Sequence, residues 1–462
     1  MVQGSLQPAQ SRPRPVGPKL PVDRVVTAGL FGALALILAS GTIAEWLSPG
    51  PLRGPGRWLD EAIFGVIVVV MLLSTLTSGR LYLSRFLPGL LALSAAGLLS
   101  SLVNHVPLEI AATGYLLAAK PLILLIVCQM LVLSRPGAER ALRLVGRFLA
   151  ALILVAVAYA VIIELGIGHN PLPGVEEAQT RLGLNPARSF FFRPSPFSSM
   201  MTLAGLYFVS RYLSDTRRRD LLLVGLALLG VLLSARLKAL LLLPVCALLL
   251  FGLIRVPTLR VKRRTLWLGA ALLLLSLLLI ASFALLLREF LILRLSPGAD
   301  NVRNALLAAA LAINVESVGL GAGLGMFGSA TSVTFHYSPL YHDYGISTMW
   351  GAHPDNTMFI TDQWWAWYLG EVGVLGTLIF LVTLSLIAAG LYQIGHRWRK
   401  ARPALAQLAF ASLAFLAFGV LSGYASTYLT APPTGYFIMG LAGLVFALDR
   451  GLSRPGPATS DD

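Results

Sequence analysis

The sequence has little charge. Asp, Glu, Lys and Arg make up only 12% of its 462 residues, against about 25% in soluble domains, whereas hydrophobic residues make up 56%. Apolar runs of about 17–25 residues recur along the whole chain, and each is long enough to cross a bilayer as a helix. Because these runs lack the period-2 alternation of barrel strands, they predict an all-α polytopic membrane protein.

Reactive motifs are equally scarce. The two cysteines, Cys128 and Cys246, fall in predicted membrane helices and imply no disulfide framework. The sequence contains no Walker-type phosphate loop, no Asp-x-Asp cluster and no two histidines with metal-ligand spacing on one helix. These absences agree with a protein that uses no nucleotide, no other cofactor and no metal ion.

Acidic residues are few: 21 Asp and Glu stand against 36 Lys and Arg, which gives a net charge of +15. The basic excess is concentrated in alternate connections between the apolar runs, as is typical of cytoplasmic loops. The charge therefore indicates the orientation of the chain, with both termini in the cytoplasm. It does not indicate a nucleic-acid partner.

The apolar runs and their connections define the predicted organisation. A polar, disordered leader (1–24) comes first, a large periplasmic loop (288–365) interrupts the membrane part, and a cytoplasmic tail (450–462) ends the chain. The first apolar run is long enough to remain as an anchor and is not expected to be a cleaved signal peptide. About twelve transmembrane helices are predicted, at 25–47, 61–78, 87–103, 109–133, 147–168, 197–213, 221–235, 239–254, 267–287, 366–394, 404–422 and 434–449.

The segment 221–254 could be one long helix or two short ones. Arg217, Arg218 and Arg219 precede it, and a second basic cluster follows it. If both clusters are cytoplasmic, the chain crosses the membrane an even number of times between them. We therefore predict a helical hairpin within transmembrane helices 1–9 (25–287), with Arg236 at its outer tip.

Several cations are placed at the predicted outer surface. Arg236 and Lys238 stand among leucines at the hairpin tip, where they either snorkel to the interface or bind an anionic headgroup. Arg303 falls in the first turn of a predicted helix, 302–314, where it opposes the helix dipole. Arg188 and Arg193 flank three phenylalanines before the sixth helix, and these rings are either interfacial anchors or part of a lipid-phosphate site.

His353 is the main acid–base candidate, because imidazole changes its charge between about pH 5 and 8. Together with His336, His342 and nearby aspartates it could alternatively form a metal site, but the spacing does not support one. The smaller outer connections, 48–60, 104–108 and 423–433, are expected to contribute little chemistry. Lys120, near the middle of the fourth helix, requires a polar cavity or a partner.

The motifs and their order resemble the O-antigen polymerase and O-antigen ligase superfamily of bacterial envelope glycosyltransferases. The departure from the family pattern is that Pro354 and Asp355 separate His353 from Asn356, which leaves either His353 or Asp355 for the catalytic position. The matching motifs are Arg193-Pro194-Ser195-Pro196-Phe197-Ser198, Ser234-Ala235-Arg236, Arg303 followed by Gly319-Leu320-Gly321, His353, and Glu371-Val372-Gly373-Val374-Leu375-Gly376.

The resemblance implies a multi-pass enzyme of the bacterial inner membrane with a site facing the periplasm. Its donor would be a glycan on undecaprenyl diphosphate, and its acceptor a lipid-linked glycan (polymerase) or the lipid A core (ligase). His353 would be the base of an inverting, metal-independent transfer that uses no nucleotide or other cofactor, and Asp355 and Asn356 would orient the acceptor. The implied ligands of the diphosphate are Arg236, Arg303, Arg193, Arg188 and Lys238.

A secondary transporter or flippase is the alternative from another functional class. Such carriers contain repeats, broken helices and ionisable groups near the membrane midplane. Only Lys120 meets the last condition, and the sequence contains no visible repeat. The sequence therefore favours the transferase, with polymerisation of O-antigen or exopolysaccharide units ahead of ligation.

Overall fold

The computed structural model describes residues 22–47, 59–79, 82–166, 169–172, 185–255 and 302–453. All regular structure within these ranges is helical, which confirms the predicted all-α class. Eight helices in the described part are long and apolar enough to cross a membrane. The predicted helix 267–287, the beginning of the large loop (288–301) and most of both terminal segments lie outside the described residues.

Fourteen α-helices are defined in the described ranges. The last of them is the most buried, with 89% of its most apolar 18-residue stretch inside the protein, and it packs against the fourth, fifth, twelfth and thirteenth helices. The helices are α1 (Val22–Leu47), α2 (Leu59–Ser78), α3 (Leu87–Val103), α4 (Leu108–Met130), α5 (Arg135–Tyr159), α6 (Pro194–Asp215), α7 (Arg218–Leu233), α8 (Leu237–Arg255), α9 (Val302–Glu316), α10 (Thr331–Thr334), α11 (Leu340–Asp343), α12 (Trp364–Trp398), α13 (Pro403–Ser422) and α14 (Thr434–Ser453).

Helix α5 begins twelve residues before the predicted position of 147. Ser134 caps it by accepting a hydrogen bond from Gly137 N at 3.2 Å, and a proline occupies the first turn. The first three turns carry several arginines, which hide a helix from a search for apolar runs. Helix α5 therefore includes most of the basic connection 134–147 between two predicted membrane helices.

The segment 221–254 forms two helices, as predicted, rather than one. Helix α7 ends at Leu233 and α8 begins at Leu237. Between them Ala235 adopts a left-handed conformation with φ 49°, which turns the chain back. This turn places Arg236 at one end of the bundle.

Helix α12 is broken at Gly373, whose φ of 69° and ψ of −173° are open only to glycine. The break leaves backbone groups on both sides without their helical partners. Asn314 of α9 serves both sides, because its Nδ2 donates to Leu369 O at 2.7 Å and its Oδ1 accepts from Val374 N at 2.7 Å. One amide side chain thus fixes α9 to the kink.

The glycine run 319–325 serves the same kink. Ala322 N donates to Gly370 O at 2.7 Å, and Gly323 N donates to Glu371 O at 3.0 Å. A Cβ added at Gly321 would lie 2.6 Å from Gly373 N. The run therefore brings backbone close to a neighbouring helix.

We predict that Gly373→Ala lowers the melting temperature of the detergent-solubilised protein. The alanine would be strained by about 1–3 kcal/mol, and its Cβ would lie 2.1 Å from Gly319 O. Gly225→Ala in α7 is the matched control, since no atom lies within 4 Å of its added Cβ. A melting temperature equal to that of the control would show that the kink is not required.

Candidate functional site

The two cations at the α7–α8 turn are directed toward the connection between α13 and α14. Lys238 Nζ donates to Ala425 O at 2.8 Å and lies 4.3 Å from the centre of the Tyr428 ring. Arg236 is half-buried beside them. Its pKa lies below the ordinary arginine value because burial disfavours the charged form, although Tyr428 and Asp362 act in the opposite direction.

Arg303 belongs to the first turn of α9, as predicted. Its guanidinium forms an ion pair with Asp362 and lies 5.3 Å from the centre of the Phe359 ring. Asp362 ends a 3₁₀ turn, Ile360–Asp362, directly before α12. The loop helix and the helix that returns to the membrane are therefore joined by charge at this point.

Arg236 and Arg303 share one electrostatic environment. The charge of Arg303 lowers the pKa of Arg236, after the larger effects of burial and of Tyr428 and Asp362. Both arginines also interact with Asp362, Arg303 by a direct ion pair and Arg236 through its charge. Asp362 thus links two predicted ligands that lie 67 positions apart in the sequence.

Tyr428 links this cluster to the beginning of α6. Its hydroxyl lies 2.6 Å from Ser195 Oγ. Burial raises the pKa of Tyr428, hydrogen bonding to Ser195 lowers it, and the charge of Arg236 lowers it further. The connection 423–433, which was expected to contribute little, therefore forms one wall of the site.

The other two predicted phosphate ligands, Arg193 and Arg188, contact residues of their own loop. Arg193 is exposed and stacks at 5.2 Å on the ring of Phe192. Arg188 is 2% exposed, and its guanidinium donates to the backbone oxygens of Leu172 and Phe191. Arg188 therefore holds its own loop together.

His353 occupies an exposed turn in which Asn356 N donates to His353 O at 2.8 Å. Its Nδ1 lies 3.3 Å from Asp355 Oδ2 and also 3.3 Å from Asp355 N. The carboxylate can accept a hydrogen bond from a protonated Nδ1, whereas the backbone N–H can donate to an unprotonated Nδ1. The two contacts therefore suit different tautomers of the ring.

The His353 turn is connected to Arg303 through Phe359. Phe359 N donates to Gly351 O at 2.8 Å, which closes the loop 351–359 at its base. The centre of the Phe359 ring lies 5.4 Å from the centre of the Trp350 ring and 5.3 Å from the Arg303 guanidinium. No hydrogen bond or ion pair joins His353 to either arginine within the described ranges.

Glu371 is a fully buried carboxylate beneath the glycine run. Its Oε2 accepts from Trp367 Nε1 at 2.9 Å, and its Oε1 accepts from Phe327 N at 3.3 Å. Phe327 belongs to the loop and Glu371 to α12, so the Glu371 carboxylate joins the loop to this helix.

Lys120 has found a partner, as its position required. Its Nζ lies 2.6 Å from Glu61 Oε1 and 3.4 Å from Asp60 Oδ2, at the beginning of α2. Tyr436 OH donates to the same Asp60 oxygen at 3.4 Å. The charge that most favoured a transporter is thus neutralised inside the helix bundle.

Three contributors to the site were missed in the sequence: Asp362, Phe359 and Tyr428. From the sequence, Asp362 is only one of the aspartates that could join the loop histidines in a metal site. Tyr428 lies in a short connection between two apolar runs. The sequence offered one signal for Asp362. It is an acidic residue in the same loop as Arg303, and an arginine that becomes partly buried requires an anionic partner.

In the described part of the chain, no group of three or more His, Cys, Asp or Glu side chains is arranged to hold a metal ion. Neither protein-family models nor curated protein sequences give a match to this chain. The family resemblance therefore stays a prediction made from its residues.

We predict that Lys120→Met destabilises the protein, because it leaves Asp60 and Glu61 without their cation. Removing one partner of a buried pair costs about 3–5 kcal/mol, and we expect the lower end because the Glu61 side chain is 32% exposed. The measurement is the melting temperature in detergent.

The control is Lys120→Met combined with Asp60→Asn and Glu61→Gln, which removes all three charges and should recover most of the stability. If the single variant melts with the wild type, the ion cluster carries no stability.

Proposed function

We propose that this chain is an inner-membrane glycosyltransferase that transfers a glycan from undecaprenyl diphosphate to a sugar hydroxyl at the periplasmic face. The observation that carries the proposal is that Arg236, from a membrane hairpin, and Arg303, from the large loop, both interact with Asp362. Two guanidinium groups match the oxygens of a diphosphate, which arginine binds two at a time. The preferred outcome is polymerisation of O-antigen or exopolysaccharide units.

The position of the arginines suits a lipid-linked donor. Arg236 stands at the end of two apolar helices, where the diphosphate of a membrane-embedded polyprenol would lie. Asp362 holds Arg303 in place, and an arriving diphosphate would compete with this carboxylate for the guanidinium. Ion pairing with Asp362 thus keeps Arg303 preorganised before the donor binds.

The reaction needs one bond to form and one to break. The acceptor oxygen attacks the anomeric carbon, the bond from that carbon to the diphosphate oxygen breaks, and the leaving diphosphate takes the electron pair. Arg236 and Arg303 stabilise the charge that develops on it. His353 takes the acceptor proton, and the anomeric centre is inverted.

Asp355 has a defined role in this scheme. A base that accepts a proton at Nε2 must carry its other proton on Nδ1. Asp355 Oδ2, 3.3 Å from Nδ1, favours that tautomer and stabilises the imidazolium that forms. Asn356 fixes the same turn through its backbone.

We predict that Arg236→Lys and Arg303→Lys each lower the transfer rate almost as much as the alanine variants. Lysine keeps the charge and loses the planar fork, and each lost charge-assisted hydrogen bond costs about 10–100-fold. The assay measures transfer by purified protein from a synthetic undecaprenyl-diphosphate oligosaccharide.

Arg218→Lys and Arg218→Ala are the matched controls, since exposed Arg218 begins α7 at the other end of the same hairpin. Full activity in Arg236→Lys and Arg303→Lys would show that the two positions need only a positive charge. It would contradict the proposal that the planar guanidinium groups bind the diphosphate.

We predict that His353→Ala reduces the transfer rate by about 10²–10⁴-fold, because the variant lacks the base that takes the acceptor proton. The exposed His342→Ala in the same loop is the control. An unchanged transfer rate in His353→Ala would assign the proton transfer to another group, with Asp355 the next candidate.

The acceptor decides between the polymerase and the ligase. A ladder of lengthening glycans from the lipid-linked donor alone would identify a polymerase. Transfer that begins only when lipid A core is added would identify a ligase. Inactivity with both acceptors would contradict the proposed function.

A further inference from the structure

A second cationic site lies at the opposite end of the bundle. Helix α7 ends beside Arg236 and begins at Arg218, so residues near its beginning are about 24 Å away along its axis. There a cavity of about 770 Å³ opens between α5, α6, α7, α13 and α14. Its volume lies within the range of about 300–1,000 Å³ found for ligand sites.

Six arginines and three carboxylates line this cavity. The carboxylates are all engaged: Glu139 with Arg402 at 2.9 Å, Asp220 with Arg211 at 3.4 Å, and Asp215 with Arg217 at 3.5 Å. Arg143, Arg147 and Arg219 have no carboxylate within 4 Å in the described part of the chain. The cavity therefore holds an excess of positive charge.

The floor of the cavity is formed by Arg211 and the side chains that contact it. Arg211 is held by fully buried Asp220 and lies 5.8 Å from the centre of the Tyr207 ring and 5.5 Å from that of Phe208. Gly146 of α5 allows this group to approach, since a Cβ there would lie 3.0 Å from the Tyr207 hydroxyl. The wall near the floor is thus preorganised.

Arg143 and Arg147 stand one turn apart on the same face of α5. Like charges at this spacing weaken a helix unless an anion lies between them. The same wall continues into apolar side chains, Leu142, Ala150, Phe208 and Leu223. A ligand that meets both surfaces must have an anionic head and a hydrocarbon body.

We propose that this cavity binds the phosphate headgroup of an anionic phospholipid from the membrane leaflet opposite the transfer site. Basic pockets between membrane helices bind such headgroups, and each cation near the surface strengthens binding about fivefold. The apolar wall receives the first part of an acyl chain. The site does not depend on the proposed transferase activity.

The test titrates the purified full-length protein, in a nonionic detergent, with phosphatidylglycerol or phosphatidylcholine, and counts bound lipid by native mass spectrometry. Wild type should retain one phosphatidylglycerol in preference to phosphatidylcholine. Arg143→Gln/Arg147→Gln should weaken that binding about 30-fold, and Arg219→Gln alone about fivefold.

The matched control is Arg24→Gln/Arg140→Gln, which removes the same charge outside the cavity and should leave binding unchanged. Equal binding by the Arg143/Arg147 variant and the wild type would overturn the proposal. So would competition by free glycerol phosphate at concentrations equal to those of the lipid, because the occupant would then be a soluble phosphate.

Discussion

The arrangement of the candidate site depends on the break in α12 at Gly373. A broken helix inside a membrane must find new partners for its backbone groups, and here Asn314 and the glycine run supply them. Because Asn314 and Arg303 belong to the same helix, α9, the bond that repairs the break also fixes the position of Arg303. The unpaired backbone groups at the break in α12 thus determine where the loop helix α9, and with it Arg303, is held.

Charge patterning was the most informative signal in the sequence. It divided 221–254 into two helices, while a turn before an apolar run placed Arg303 in the first turn of a loop helix, and both predictions are confirmed. Each depends on information local to the segment, such as flanking basic clusters or a turn before an apolar run. Local predictions of this kind hold in the folded protein because a segment in lipid must satisfy its own backbone hydrogen bonds, which a helix does.

Contacts between distant segments could not be predicted. The pairing of Lys120 with Asp60 and Glu61, and of Arg303 with Asp362, joins residues about 60 positions apart. A sequence shows that a buried cation needs an anion, but several carboxylates can meet that need. The choice is made by helix packing, which is set by side-chain shapes along whole interfaces.

Helix α7 has only 16 residues, which gives it a length of about 24 Å, whereas the hydrocarbon core of a bilayer is about 30 Å thick. Helix α7 alone is therefore shorter than the hydrocarbon core, so a bilayer around it either thins or leaves Arg236 below the headgroups. Under the proposed function, a phosphate already attached to a membrane lipid would reach Arg236 at that depth by lateral diffusion, whereas a water-soluble sugar nucleotide would have to leave the aqueous phase. The length of one helix would then favour donors that arrive within the plane of the membrane.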